Sequence, residues 1–163
     1  MKKFLSIALV LVMSLSLVTV AIATNGDDVL EDNLPVSRVI TQAEFDELTG
    51  LSNSRLSRTG IACYIPYNTG SGTSGVYCAE FTADTTNMAF TLTSLGGGSK
   101  YHAQLYTVSS SGSYSAVNSY AQYSFGSGFT QGNLVVGTKY AIKISSTTVP
   151  SEGCNGTYNL TTF

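Results

Sequence analysis

Charge is what this chain has least of. Only 11% of its 163 residues are charged, against roughly 25% in an average globular domain. The eight basic side chains are scattered among ten acidic ones, so no basic stripe exists to neutralise phosphates and a nucleic acid is excluded as the expected partner. Tryptophan is absent, which weakens any platform for stacking sugar rings. A single histidine, His102, and three separated cysteines provide no zinc spacing. Gly-x-Ser-x-Gly does not occur, which removes the nucleophile-elbow arrangement, and any serine triad would have to use His102. Asp27, Asp28, Glu31 and Asp32 lack the ligand order and turn glycine of a calcium loop, and read as a solvated acidic linker. No metal, cofactor or catalytic residue is expected.

What is abundant is Gly, Ser, Thr and Tyr. With so few charges, solubility must come from hydroxyls and amides, which favours a β-rich extracellular domain over a helical one. The first 23 residues have the layout of a secretory signal peptide. Lys2 and Lys3 precede an apolar run from Phe4 to Val20 that closes on Ala21-Ile22-Ala23. An uncleaved membrane anchor is the alternative, since about 20 apolar residues can span a bilayer. Cleavage leaves Thr24–Phe163, long enough for one domain with its own core. No second apolar run follows, so the mature chain is expected to be exported and not embedded in a membrane.

The pattern changes along the mature chain. Residues 24–58 read as an acidic leader, with Asp27, Asp28, Glu31, Asp32, Glu44, Asp46 and Glu47 set against few bases. Within it, Thr41-Gln42-Ala43-Glu44 has the form of a capping box, Phe45 and Leu48 share a face, and Gly50 offers a stop. A short helix over 42–49 follows. From 59 to 163 the chain breaks into short alternating runs punctuated by Gly, Ser and Asn: 61–67, 76–82, 88–93, 101–108, 115–125, 134–136, 140–145 and 158–162. About eight strands at near-regular spacing predict an all-β, antiparallel sandwich or barrel.

Val76-Tyr77-Cys78-Ala79-Glu80-Phe81-Thr82-Ala83-Asp84 followed by Met88-Ala89-Phe90-Thr91-Leu92, then Leu105-Tyr106, Gly137-Thr138-Lys139-Tyr140 and Gly156-Thr157-Tyr158-Asn159-Leu160, resembles bacterial pre-peptidase C-terminal domains over residues 75–163. The resemblance implies a jelly-roll-like β-sandwich that accompanies secreted enzymes or surface proteins as a non-catalytic part. Two features depart from the family. No peptidase precedes the domain, and His102-Ala103-Gln104 replaces an Asp-Leu-Asp run, removing the acids for a metal ion there.

Cys63 and Cys78 flank a turn at 68–75, so a hairpin centred between them sets them face to face. Such a pair has Cα atoms ~4.5 Å apart, within disulfide range. A bridge closing that loop of about 15 residues would stabilise by roughly 3 kcal/mol. Cys154 is then left over as a free or intermolecular thiol; pairing of Cys154 with either of the others, or three reduced thiols, are the alternatives. Cys154 with His102 is the one combination with nucleophile chemistry, and it carries no protease signature. Gly70-Ser71-Gly72-Thr73-Ser74-Gly75 satisfies a dinucleotide fingerprint in letters only, because a strand rather than a helix follows it. Tyr114, Tyr120 and Tyr123 crowd a stretch of Ser, Gly, Ala and Asn. They are the candidate binding residues, in the way that exposed tyrosines stack on sugars or anchor a protein partner. Tyr120 and Tyr123 have opposite strand parity, so part of the cluster must face inward.

The expectation is a secreted, non-catalytic β-sandwich that binds an extracellular polysaccharide or protein. An envelope assembly protein tethered by the acidic leader comes second, and a small Cys-dependent hydrolase third.

Overall fold

A computed structural model describes residues 37–51, 56–68 and 75–163. Residues 1–23, where a signal peptide is expected, the acidic stretch 24–36 and the glycine-rich segment 69–74 lie outside the described residues, with the expectations attached to them.

Among the described residues there are ten strands and one helix: β1 (Ser37–Thr41), α1 (Gln42–Leu51), β2 (Ser57–Ile65), β3 (Val76–Thr82), β4 (Met88–Ser94), β5 (Lys100–Val108), β6 (Tyr114–Ala116), β7 (Ala121–Ser124), β8 (Ser127–Gln131), β9 (Lys139–Ser145) and β10 (Cys154–Thr162). Along β5 buried apolar residues alternate with more exposed ones, so one face enters a core, whereas β4 and β8 are buried on both faces over most of their length. One sheet has the order β1-β8-β4-β10-β2. The other runs β3-β9-β5-β6, with β7 also paired to β5. Every pairing between these strands is antiparallel. The chain is therefore the expected all-β antiparallel sandwich with a short helix near its N-terminal side. Phe90, Leu92, Phe129, Tyr158 and Leu160 from the first sheet meet Phe81, Tyr101, Leu105, Tyr140, Ile142 and Ile144 from the second, all buried.

Two strands were not legible beforehand. β8 begins with Ser127-Gly128 directly after Gly126, a run that reads as a turn, yet Gly128 is demanded by packing: a Cβ there would sit 1.7 Å from the Phe90 carbonyl oxygen. β1 lies in the stretch assigned to the leader. It pairs with β8 over its whole length, so residues 37–51 belong to the sandwich, and the boundary expected near 58 is corrected. Conversely, 134–136 forms no strand, and the run 115–125 divides into β6 and β7. The division occurs where the Asn118 side chain accepts the Leu105 amide at 2.9 Å, substituting for a ladder partner.

The helix begins as its capping box predicts. Thr41 donates its amide to Glu44 Oε2 at 2.7 Å, and the Glu44 amide returns a bond to Thr41 Oγ1 at 3.2 Å. Phe45 is buried with Ile40 and Ala89, and Leu48 and Phe163 pack around them. Gln42 Oε1 accepts from Thr91 Oγ1 and Asn159 Nδ2, pinning the first turn to β4 and β10. The helix thus covers part of the outer face of the first sheet. The outer face of the second sheet has no such cover among the described residues.

Candidate functional site

On β5 the inward residues are Tyr101, Ala103 and Leu105, all buried, so His102, Gln104 and Tyr106 point outward. Pairing brings β9 alongside with Ala141, Lys143 and Ser145 on that same outer face. Beyond β9 lies β3, whose Tyr77 stands opposite Lys143 and whose Glu80 stands opposite Ala141. On the other side, β6 contributes Tyr114, and the segment before β7 contributes Tyr120.

These side chains form one aromatic surface. The Tyr77 and Tyr114 rings stack at 3.9 Å with 13° between planes, and Tyr106 meets Tyr77 edge-on at 5.5 Å. Tyr120 stacks on His102 at 4.9 Å and 5°, and its hydroxyl bonds to Ser145. Lys143 Nζ lies 5.9 Å from the Tyr77 ring centre, at the outer limit of a cation–π contact. Ala141 faces outward among them and is nevertheless buried. Polar groups hold the rings in place: Tyr106 donates to Gln104 Oε1 at 2.6 Å, and Tyr114 donates to Glu80 Oε1 at 3.1 Å. Glu80 also pairs with Lys139.

The electrostatics follow from these contacts. The Lys139 hydrogen bond, with a further one from Tyr114, holds the Glu80 carboxyl below its usual range, and Lys139 is raised in return. Burial, reinforced by the neighbouring tyrosines, raises the Tyr77 hydroxyl, and the bond to Glu80 raises that of Tyr114. Burial lowers His102. At neutral pH the face therefore presents neutral rings and amides, flanked by one compensated carboxylate and two lysines. Such a surface offers ring faces and planar hydrogen-bonding groups to a ligand, rather than a strong field.

Of the candidate tyrosines, Tyr114 and Tyr120 lie on this face, and Tyr123 does not. It is 6% exposed and packs in the core against Phe129 and Tyr101. Its strand parity is that of Ala121, opposite to the outward Gln122, so its assignment to binding is corrected. Tyr77 and Tyr106 were not singled out in the sequence. Alternation along 101–108 already points Tyr106 outward, whereas the position of Tyr77 depends on a register shift between Tyr77 and Ala79.

The cysteines are arranged differently from the hairpin expectation. β2 pairs with β10 and β3 with β9, so Cys63 and Cys78 come from opposite sheets, and all three thiols are free. The backbone bridge from Tyr67 to Ser146 leads the chain out of the first sheet before β3 begins. Cys154 packs inward with its sulfur 3.3 Å from Ser94 Oγ. His102 points outward from the other sheet, so the structure does not bring these two together. The letters of the dinucleotide fingerprint lead into β3, a strand, with Gly70–Ser74 outside the described residues. Among the described residues, no helix is long and apolar enough to cross a membrane.

No family model matches this chain, and no curated protein matches it. Among solved structures, it is similar to the mitogen derived from Yersinia pseudotuberculosis, with 12% identity and a TM-score of 0.35 over 80% of this chain and 88% of that one. A likeness that slight has no bearing on function.

Proposed function

We propose that this chain is a secreted, non-catalytic binding module that holds an extracellular polysaccharide or cell-surface protein on its tyrosine face. The observation that supports it is the gathering of Tyr77, Tyr106, Tyr114 and Tyr120 on the outer side of the second sheet, from four separate chain segments. Rings already fixed by stacking and hydrogen bonds lose little freedom when a ligand docks, so more of their contact area appears as affinity. The signal-peptide pattern of residues 1–23 and the resemblance of residues 75–163 to pre-peptidase C-terminal domains are both in keeping with an exported accessory role.

The test is retention of the chain from Thr24 onward on insoluble cellulose, chitin, peptidoglycan, fibrillar matrix protein and whole cells. Retention on at least one is expected. Tyr77→Ala and Tyr114→Ala should each weaken it about tenfold, which corresponds to about 1.4 kcal/mol. Tyr64→Ala, on the other sheet and 48% exposed, should leave it unchanged. Absence of retention on every surface, or retention indifferent to the two tyrosines, overturns the reading.

A further inference from the structure

The three cysteines come from three different strands and pack against the same core cluster at the side of the sandwich where β2 of one sheet lies against β3 of the other. Cys63 occupies the middle of the group. In the β2–β10 ladder it pairs with Gly156, and Cys154 pairs with Ile65. Cys63 and Cys154 are therefore diagonal neighbours on one face, a relation that long or flexible side chains can bridge. Gly156, between them on β10, adds no side chain of its own. Cys154 is the first residue of its strand, where the backbone can give.

Cys78 reaches the group by another device. The register passes from Tyr77 opposite Lys143 directly to Ala79 opposite Ile142, so Cys78 is the extra residue of a β-bulge. Simple alternation after the outward Tyr77 and before the inward Ala79 has no place for it. The bulge turns its side chain toward the core, beside Cys63. Bulges commonly serve to re-aim one side chain in this way.

We infer that Cys63 is the shared sulfur of two mutually exclusive disulfides, one to Cys78 that joins the two sheets and one to Cys154 that joins β2 to β10. The oxidant is a disulfide, either low-molecular-weight or carried by an exported oxidoreductase. With oxidised glutathione, Cys63 Sγ as thiolate attacks one sulfur and displaces a glutathione thiolate. Cys78 or Cys154 Sγ then attacks Cys63 Sγ in the mixed disulfide and releases the second glutathione thiol. Two protein thiols lose two electrons and two protons, which leave on two reduced glutathiones. With one bridge formed, the remaining thiol attacks Cys63 Sγ and frees the other partner without net redox change. Burial pushes the Cys63 thiol up to about 11, with Cys154 adding to it, and burial raises the Cys78 thiol well above its ordinary value. The Cys63 and Cys78 thiols are thus largely protonated at pH 7, and attack by Cys63 quickens as pH rises.

The test incubates the folded chain from Thr24 with oxidised glutathione at about pH 8.5, blocks remaining thiols, and maps unreduced chymotryptic peptides by mass spectrometry. Cleavage after Tyr64, Tyr67 and Tyr77 separates all three cysteines. Bridges 63–78 and 63–154 are expected, and 78–154 is not. Cys154→Ala should collect the chain in 63–78, Cys78→Ala in 63–154, and Cys63→Ala should form no internal bridge. A 78–154 bridge, an internal bridge in Cys63→Ala, only one of the two Cys63 bridges, or glutathione adducts alone would each overturn the inference. The wild-type map is decisive by itself, so a substitution that fails to fold does not shield it.

Discussion

At Glu80, one exposed carboxylate serves both Lys139 and the Tyr114 hydroxyl. Its folded pKa is lowered below the ordinary 4.5. The contribution of this group to stability is accordingly present above pH 4.5 and is lost as pH falls through the lowered value. Lys139 supplies the largest part of the shift. Lys139→Ala should therefore move the Glu80 titration midpoint upward, and Tyr114→Phe should move it by less, as read by carboxyl-carbon NMR. An unchanged midpoint in Lys139→Ala would remove the ion pair from the account. The same small scale shows why the tyrosine face was only half legible. Tyr123 and Tyr120 are three residues apart in sequence, and parity alone separates the buried one from the outward one once the strand start is known. Tyr77 was hidden because the bulge after it breaks the alternation from which its direction would have been read.

Elements differ in how local their causes are. The helix is readable because its signals lie within one turn: Thr41, Glu44, Phe45 and Leu48 need no distant partner to be interpreted. Thr41→Ala should cost about 1 kcal/mol of stability in urea denaturation, since it removes the side-chain acceptor for the Glu44 amide. A loss within experimental error would mean that packing of Phe45 alone holds the helix. β1 and β8 are the opposite case. Val39 is 63% exposed and Arg38 is paired with Glu44, so β1 has only Ile40 buried to mark it. Its strand conformation comes from the β8 edge lying beside it. β8 in turn uses a glycine where any side chain would strike the backbone of Phe90. Propensity tables read that glycine as a breaker, and close strand approach requires it.

At the scale of the whole molecule, the last strand is a central one. β10 lies between β4 and β2, with ladders on both sides. Without it, β2 has no partner in its sheet, and Tyr158 and Leu160 leave the core. A chain ending before Cys154 should show no cooperative thermal unfolding by circular dichroism. A transition within a few degrees of the full chain would show that the strand is dispensable. Because β1, β2 and β10 all pair with strands remote in sequence, the sheet closes only after most of the chain is in place.

Composition, alternation and the capping box by themselves determined the fold class and the short helix, because each rests on neighbours within a few residues. Which strands share a sheet was decided only by the tertiary structure, since hydrogen bonds between distant segments leave no periodic mark on either one. That pairing incorporated residues 37–51 into the sandwich, drew Tyr77 and Tyr114 onto one surface, and set Cys63 and Cys78 in opposite sheets. A turn of suitable length between two strands does not make a hairpin when each strand has a better ladder elsewhere. In this chain β10 and β9 are those ladders.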